Sequence, residues 1–221
     1  MTEEEWLSST DPEGMYAVVS QGPFRAEWPD AQRTARKRAL FGAACCRLVW
    51  PLIVVDERCR KSVELLERQF DEPISVEQTE EITWGAKMAA EHPEDGTPEL
   101  QMLAADLVYG AGHPGTDIAY LLRGLSDWGD PHERAARIAD IMRDILGNPF
   151  RPVSLDHCWQ TPTVLSLAQG IYTDSAFDRL PILADALEEA SCDNSELLNH
   201  CRSETVHMRG CWVIDLLLGK E

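Results

Sequence analysis

The chain has 221 residues, 44% of them hydrophobic, which suits one domain or two small ones and allows a buried core. It carries 20 Lys and Arg against 38 Asp and Glu, a net charge of −18. That balance argues against direct nucleic-acid binding, which draws its affinity from Lys and Arg set against phosphates, and against docking on an anionic membrane.

In chain order the sequence reads as helix after helix. Asp30 caps a segment running to about Trp50, with Leu40, Phe41, Ala44, Cys45, Leu48 and Val49 on one face, and Pro51 interrupts it. Asp56 caps the next helix, where Cys59, Val63, Leu66 and Phe70 fall at helical spacing. Ser75 with Gln78 forms a capping box that opens a helix through Ile82, Ala86 and Ala89, stopped by His92-Pro93. Thr97-Pro98 leads into Leu100, Leu103, Leu107 and Val108, ending at Gly110 and Gly112. Thr116 caps a shorter helix with Ile118, Leu121, Leu122 and Leu125.

Asp130-Pro131 with Glu133 is the clearest helix start, followed by Ile138, Ile141, Met142 and Ile145 and a stop at Gly147-Asn148-Pro149. Residues 147–161 read as an irregular connector that packs Phe150, Val153 and Trp159. Thr161-Pro162 opens another helix through Val164, Leu167, Ala168 and Ile171, and Asp178 precedes Leu180, Leu183, Leu187 and Ala190. Two short helices close the chain, around Glu196 to Cys201 and Met208 to Leu218.

Strand-like alternation is confined to Leu52 to Val55, too isolated to build a sheet. The expectation is an all-α fold, a multi-helix globular bundle; successive helix pairs suggest a solenoid only by analogy, because no fixed period is present. An N-terminal helical region, 1–146, and a C-terminal one, 147–221, are expected, with one continuous domain as the alternative.

Several stretches resemble a known family. They are Met1-Thr2-Glu3-Glu4-Glu5-Trp6-Leu7, then Leu40-Phe41-Gly42-Ala43-Ala44-Cys45-Cys46-Arg47 and Asp56-Glu57-Arg58. In the C-terminal half they are Gly147-Asn148-Pro149-Phe150-Arg151-Pro152, the run from Phe177 to Leu187, and the run from His207 to Lys220. Together they resemble a bacterial family, found chiefly in planctomycetes, to which no activity is assigned. The resemblance covers about two thirds of the chain and is weakest at about residues 72–130. It implies a bacterial, intracellular module that can join larger architectures, and it transfers no catalytic residue.

Seven cysteines cannot all close into disulfides. No apolar run reaches eighteen residues, and the acidic N-terminus lacks the basic and apolar regions of a signal peptide. A cytoplasmic protein with reduced, mostly buried thiols is therefore expected. Cys192, Cys201, His207 and Cys211 are the candidate metal ligands, because thiolate and imidazole suit Zn²⁺ and their intervals match a Cys-Cys-Cys-His zinc finger's with the last two ligand types in the opposite order. The reading places His207 and Cys211 on one face of a helix, with His200 as a spare ligand. The competing reading makes these cysteines core residues. Cys45-Cys46, Cys59, His157 and Cys158 form a weaker set, since adjacent cysteines on a helix point about 100° apart.

No cofactor other than zinc is expected. Acid/base candidates are His113 with Asp117 and Glu91-His92, and neither pair belongs to a triad or metal motif. No nucleophile elbow, Walker A or dinucleotide fingerprint is present, so catalysis is not the favoured reading. The leading expectation is a non-enzymatic module that docks another protein. Trp6 and Trp28 in the N-terminal arm are its anchors, beside basic Arg33, Arg36 and Lys37. The alternatives are a structural zinc protein, an enzyme of unknown class, and an acidic inhibitor that imitates nucleic acid. Residues 31–70 hold nine Lys and Arg against four acids, and 71–100 hold one Lys against nine, so these stretches are expected to face each other or to alternate around the surface.

Overall fold

Helix starts are written into this sequence as caps, and the computed structural model, which describes residues 1–21, 31–92, 99–112, 125 and 129–220, uses them. Asp56 Oδ1 accepts from the Arg58 amide at 2.8 Å and opens α5, Glu57–Arg68. Ser75 and Gln78 close the capping box in both directions, at 3.1 and 2.8 Å. Asp130 Oδ1 takes the amides of His132 and Glu133 at the head of α9, Pro131–Leu146. Thr161 and Asn194 do the same for α10, Pro162–Asp174, and α12, Ser195–Arg202. Each bond satisfies amides that the helix geometry leaves without a partner.

All regular structure among the described residues is helical, so the all-α expectation holds. By internal contacts the chain falls into two units. One comprises Met1 with 8–139; the other joins residues 2–7 to 140–221. The expected helix at Thr116 and the caps at Asp30 and Thr97 lie outside the described residues.

In the first unit, α3 (Ala31–Leu48), α5 and α8 (Glu99–Gly112) pack against one another. Leu40, Phe41, Cys45, Val63, Leu66 and Leu107 are buried in its core. Leu52 to Val55 is not a strand: α4, Trp50–Ile53, carries Pro51 in its first turn, where a missing amide costs nothing. Helix α5 ends at Arg68, two residues before Phe70, which stays exposed. Between α6, Val76–Glu80, and α7, Ala86–Glu91, the chain widens into a π-helical stretch, Glu81–Gly85. The oppositely charged stretches do meet, through Arg36–Asp71 at 3.9 Å and Lys61–Glu81 at 3.9 Å.

In the second unit, α10 packs on α11, Leu180–Glu189, and on α13, Trp212–Leu218, while α11 packs on α12. Val164, Ala168, Ile171, Leu183, Leu187 and Val213 are core residues there, and Trp159 and Val153 of the connector pack onto them. Helix α1, Glu3–Ser8, contributes Trp6, which is fully buried and donates its indole N–H to Gly147 O at 3.2 Å. Gly147 sits at φ +69, which favours glycine, and a Cβ there would stand 3.3 Å from the Trp212 ring, a tight approach. Arg143 returns a bond to Trp6 O at 2.9 Å, and Glu3 takes Asn148 Nδ2 at 2.9 Å. No helix among the described residues is long and apolar enough to cross a membrane.

Candidate metal centre

Two helices and one turn bring four donor groups together in the second unit. Asp144 lies on α9 beside Ile141 and Ile145, both buried, and its carboxylate is only 2% exposed. His200 sits in the last turn of α12. The expected helix from Met208 to Leu218 begins only at Trp212. Before it, the Cys211 amide donates to Met208 O at 2.9 Å, closing a turn with Gly210 at φ +100. That conformation is cheap for glycine and costly for other residues, so the sequence turns here instead of continuing a helix. Met208 N donates to Asp144 Oδ2 at 2.9 Å and anchors the turn.

His207 Nδ1 then lies 2.7 Å from Asp144 Oδ1, and His200 Nε2 lies 3.2 Å from that same oxygen. His200 Nε2 is also 3.2 Å from Cys211 Sγ. One donor atom from each of Asp144, His200, His207 and Cys211 falls within 4.8 Å of the others, a group that could hold a metal ion. Four ligands about 2.0–2.3 Å from Zn²⁺ stand about 3.3–3.8 Å apart. A metal replacing the shared protons would open the 2.7 Å pair by about 0.6 Å and the 3.2 Å pairs by about 0.1–0.4 Å, and would draw in the pairs that stand wider.

Burial works on Asp144, His200 and Cys211. It pushes the Asp144 carboxyl up, but the hydrogen bonds to His200 and His207 outweigh it and hold Asp144 below the usual carboxylate range. Burial lowers His200, partly opposed by Asp144. The Cys211 thiol is pushed well up, by burial first and by the Asp144 charge second. A thiol so placed is not an activated nucleophile, and only a cation among these groups would favour its thiolate.

Two triad-like readings of the cluster fail on hydrogen bonding. Cys211 and Asp144 both approach the same nitrogen of His200, so no relay passes through that ring. Ser203 Oγ is 3.1 Å from His207 Nε2, yet Ser203 gives its hydroxyl proton to His200 O at 2.8 Å. Towards His207 it is then an acceptor. Nε2 therefore carries a proton, while Nδ1 faces Asp144 Oδ1 at 2.7 Å, where an ion would take the place of the proton they share.

Of the ligands expected from sequence, His207 and Cys211 belong to this group, while Cys192 and Cys201 do not. Both of those are buried in the unit's apolar core, and burial raises the Cys201 thiol to about 12. The fourth member, Asp144, was not anticipated. Its signal was a carboxylate falling among the apolar positions of a helix. Cys45, Cys46 and Cys59 are buried, with thiols pushed up chiefly by burial. Cys158 is exposed, as are His92, His132 and His157.

Trp6, read as an exposed anchor, is in fact wholly buried. Arg36 and Lys37 are also buried, at 6% and 3% exposure. Arg33 lies in α3, and Trp28, His113 and Asp117 fall outside the described residues. No family model, curated protein or solved structure matches the chain.

Proposed function

We propose that the second unit binds one zinc ion through Asp144, His200, His207 and Cys211, and that the ion stabilises the fold around it. The observation that carries this reading is the convergence of four donor atoms within 4.8 Å from separate elements of the chain. Two imidazoles with one thiolate and one carboxylate suit zinc better than the hard cations, which prefer oxygen alone. Support comes from the Ser203 hydroxyl, which accepts from His207 Nε2 and orients the ring, and from Met208 N, which orients the carboxylate. The ion would also relieve a buried carboxylate and thiol of their desolvation, because it brings two positive charges into the group.

The test is metal content of untagged protein purified without added metal, with Cys211→Ser measured alongside. The expected result is about one zinc per chain in the parent and a loss of most of it in the variant. Chelation should lower the thermal midpoint of the parent and leave that of the variant unchanged. Parent protein that takes up no zinc, Co²⁺ or Fe²⁺ when supplied would overturn the reading.

A further inference from the structure

A cavity of about 400 Å³ opens beside the proposed ion. Asp144 and His200 form part of its wall, whereas His207 and Cys211 do not. A purely structural zinc site is closed on all sides by its ligands, while an ion that exchanges ligands faces a space they can enter. Here two of the four donors reach such a space, and its volume is within the range of small-molecule sites.

We propose that the bound ion keeps an exchangeable coordination position facing this cavity, held by water and replaceable by a small oxygen donor. The inference rests on the zinc reading above. Zn²⁺ expands from four to five ligands readily, so Asp144 and His200 need not leave when the fifth enters. Ser203 and Thr205 line the same cavity, with their hydroxyl oxygens 2.8 Å apart.

Charge on the wall selects the class of ligand. Glu3, Asp140, Asp144 and Glu196 face Arg143 and Arg151. Both arginines are already engaged by carboxylates, Arg143 with Asp140 at 2.7 Å and Arg151 with Glu3 at 3.2 Å. A dication bound by one carboxylate and one thiolate leaves no net charge at the site to attract a polyanion. The favoured occupants are neutral or singly charged oxygen donors such as a hydroxamate, a carboxylate or an amide carbonyl, and multiply charged phosphates are disfavoured.

The experiment uses full-length protein stripped of metal and reloaded with Co²⁺, whose visible bands report coordination number and whose thiolate band reports Cys211. Acetohydroxamate is titrated in, with inorganic phosphate as the second probe. A saturable change in the visible bands with acetohydroxamate, and none with phosphate at equal concentration, is the expected result. Asn199→Trp, which fills the cavity from an exposed non-ligand position, should weaken the acetohydroxamate response about tenfold while Co²⁺ affinity is kept. Cobalt binding with bands that ignore acetohydroxamate would overturn this inference and leave the zinc reading standing. An equal or stronger response to phosphate would overturn the ligand class. Failure to bind Co²⁺ at all would remove the zinc reading, and this inference with it.

Discussion

Cys211 of the second unit means something different from the buried cysteines of the first. In the first, Cys45, Cys46 and Cys59 sit in the core as small apolar groups, their thiols pushed up chiefly by burial. In the second, Cys211 is as deeply buried, yet it stands 3.2 Å from an imidazole and inside a ring of donors that includes a carboxylate. Burial is common to both, so burial alone does not identify a ligand. What separates Cys211 is the polar company gathered around its sulfur. The charged groups follow the same contrast. In the first unit Arg60 with Glu64 and Lys61 with Glu57 pair along one helix at partly solvated positions, whereas Asp144 is withdrawn from solvent altogether.

The largest break in that contrast is expected from Asp144→Ala. It removes the acceptor for His200, His207 and Met208 N in one step and strands buried polar groups. A loss of about 3–5 kcal/mol in urea unfolding is expected, together with loss of metal. An effect below about 1 kcal/mol would mean that the cluster holds little of the fold.

Cys46→Ser sharpens the comparison from the other side. It buries a hydroxyl where a thiol packed, at a cost of about 1–3 kcal/mol, and should leave metal content at the parent level. A fall in bound zinc in this variant would blur the line drawn between the two kinds of cysteine. The smallest effect is expected from Glu64→Gln, which breaks the pair with Arg60 at 3.0 Å. Its change in stability should be about 0.5 kcal/mol or less and should fade in high salt.

Much of the fold was legible because local chemistry and tertiary structure agree. Asp56, Ser75, Asp130 and Thr161 all cap the helices expected of them. The site was legible only in part. His207 and Cys211 were chosen for their ligand chemistry and were assigned to one helical face, but a turn through Gly210 is what brings them round. A single glycine inside an apolar-periodic stretch carries that information weakly. Asp144 was missed for a different reason. It is 63 positions from His207, and no local pattern reports a partner so far along the chain. Cys201 illustrates the converse, since its spacing suited a metal site while its apolar neighbours Leu197 and Leu198 marked it as core.

The tie between Trp6 and Gly147 has a consequence for how the protein is made. The two residues are 141 positions apart. At a synthesis rate of about 5–20 residues per second, the indole waits roughly 7–28 s on the ribosome before Gly147 has even been added. Through that interval one of the chain's largest apolar side chains is without its native pocket. Helix α1 must then find a unit that is otherwise built from the far end of the chain. Docking it is a late, long-range step, and it will be sensitive to whatever is fused ahead of Met1.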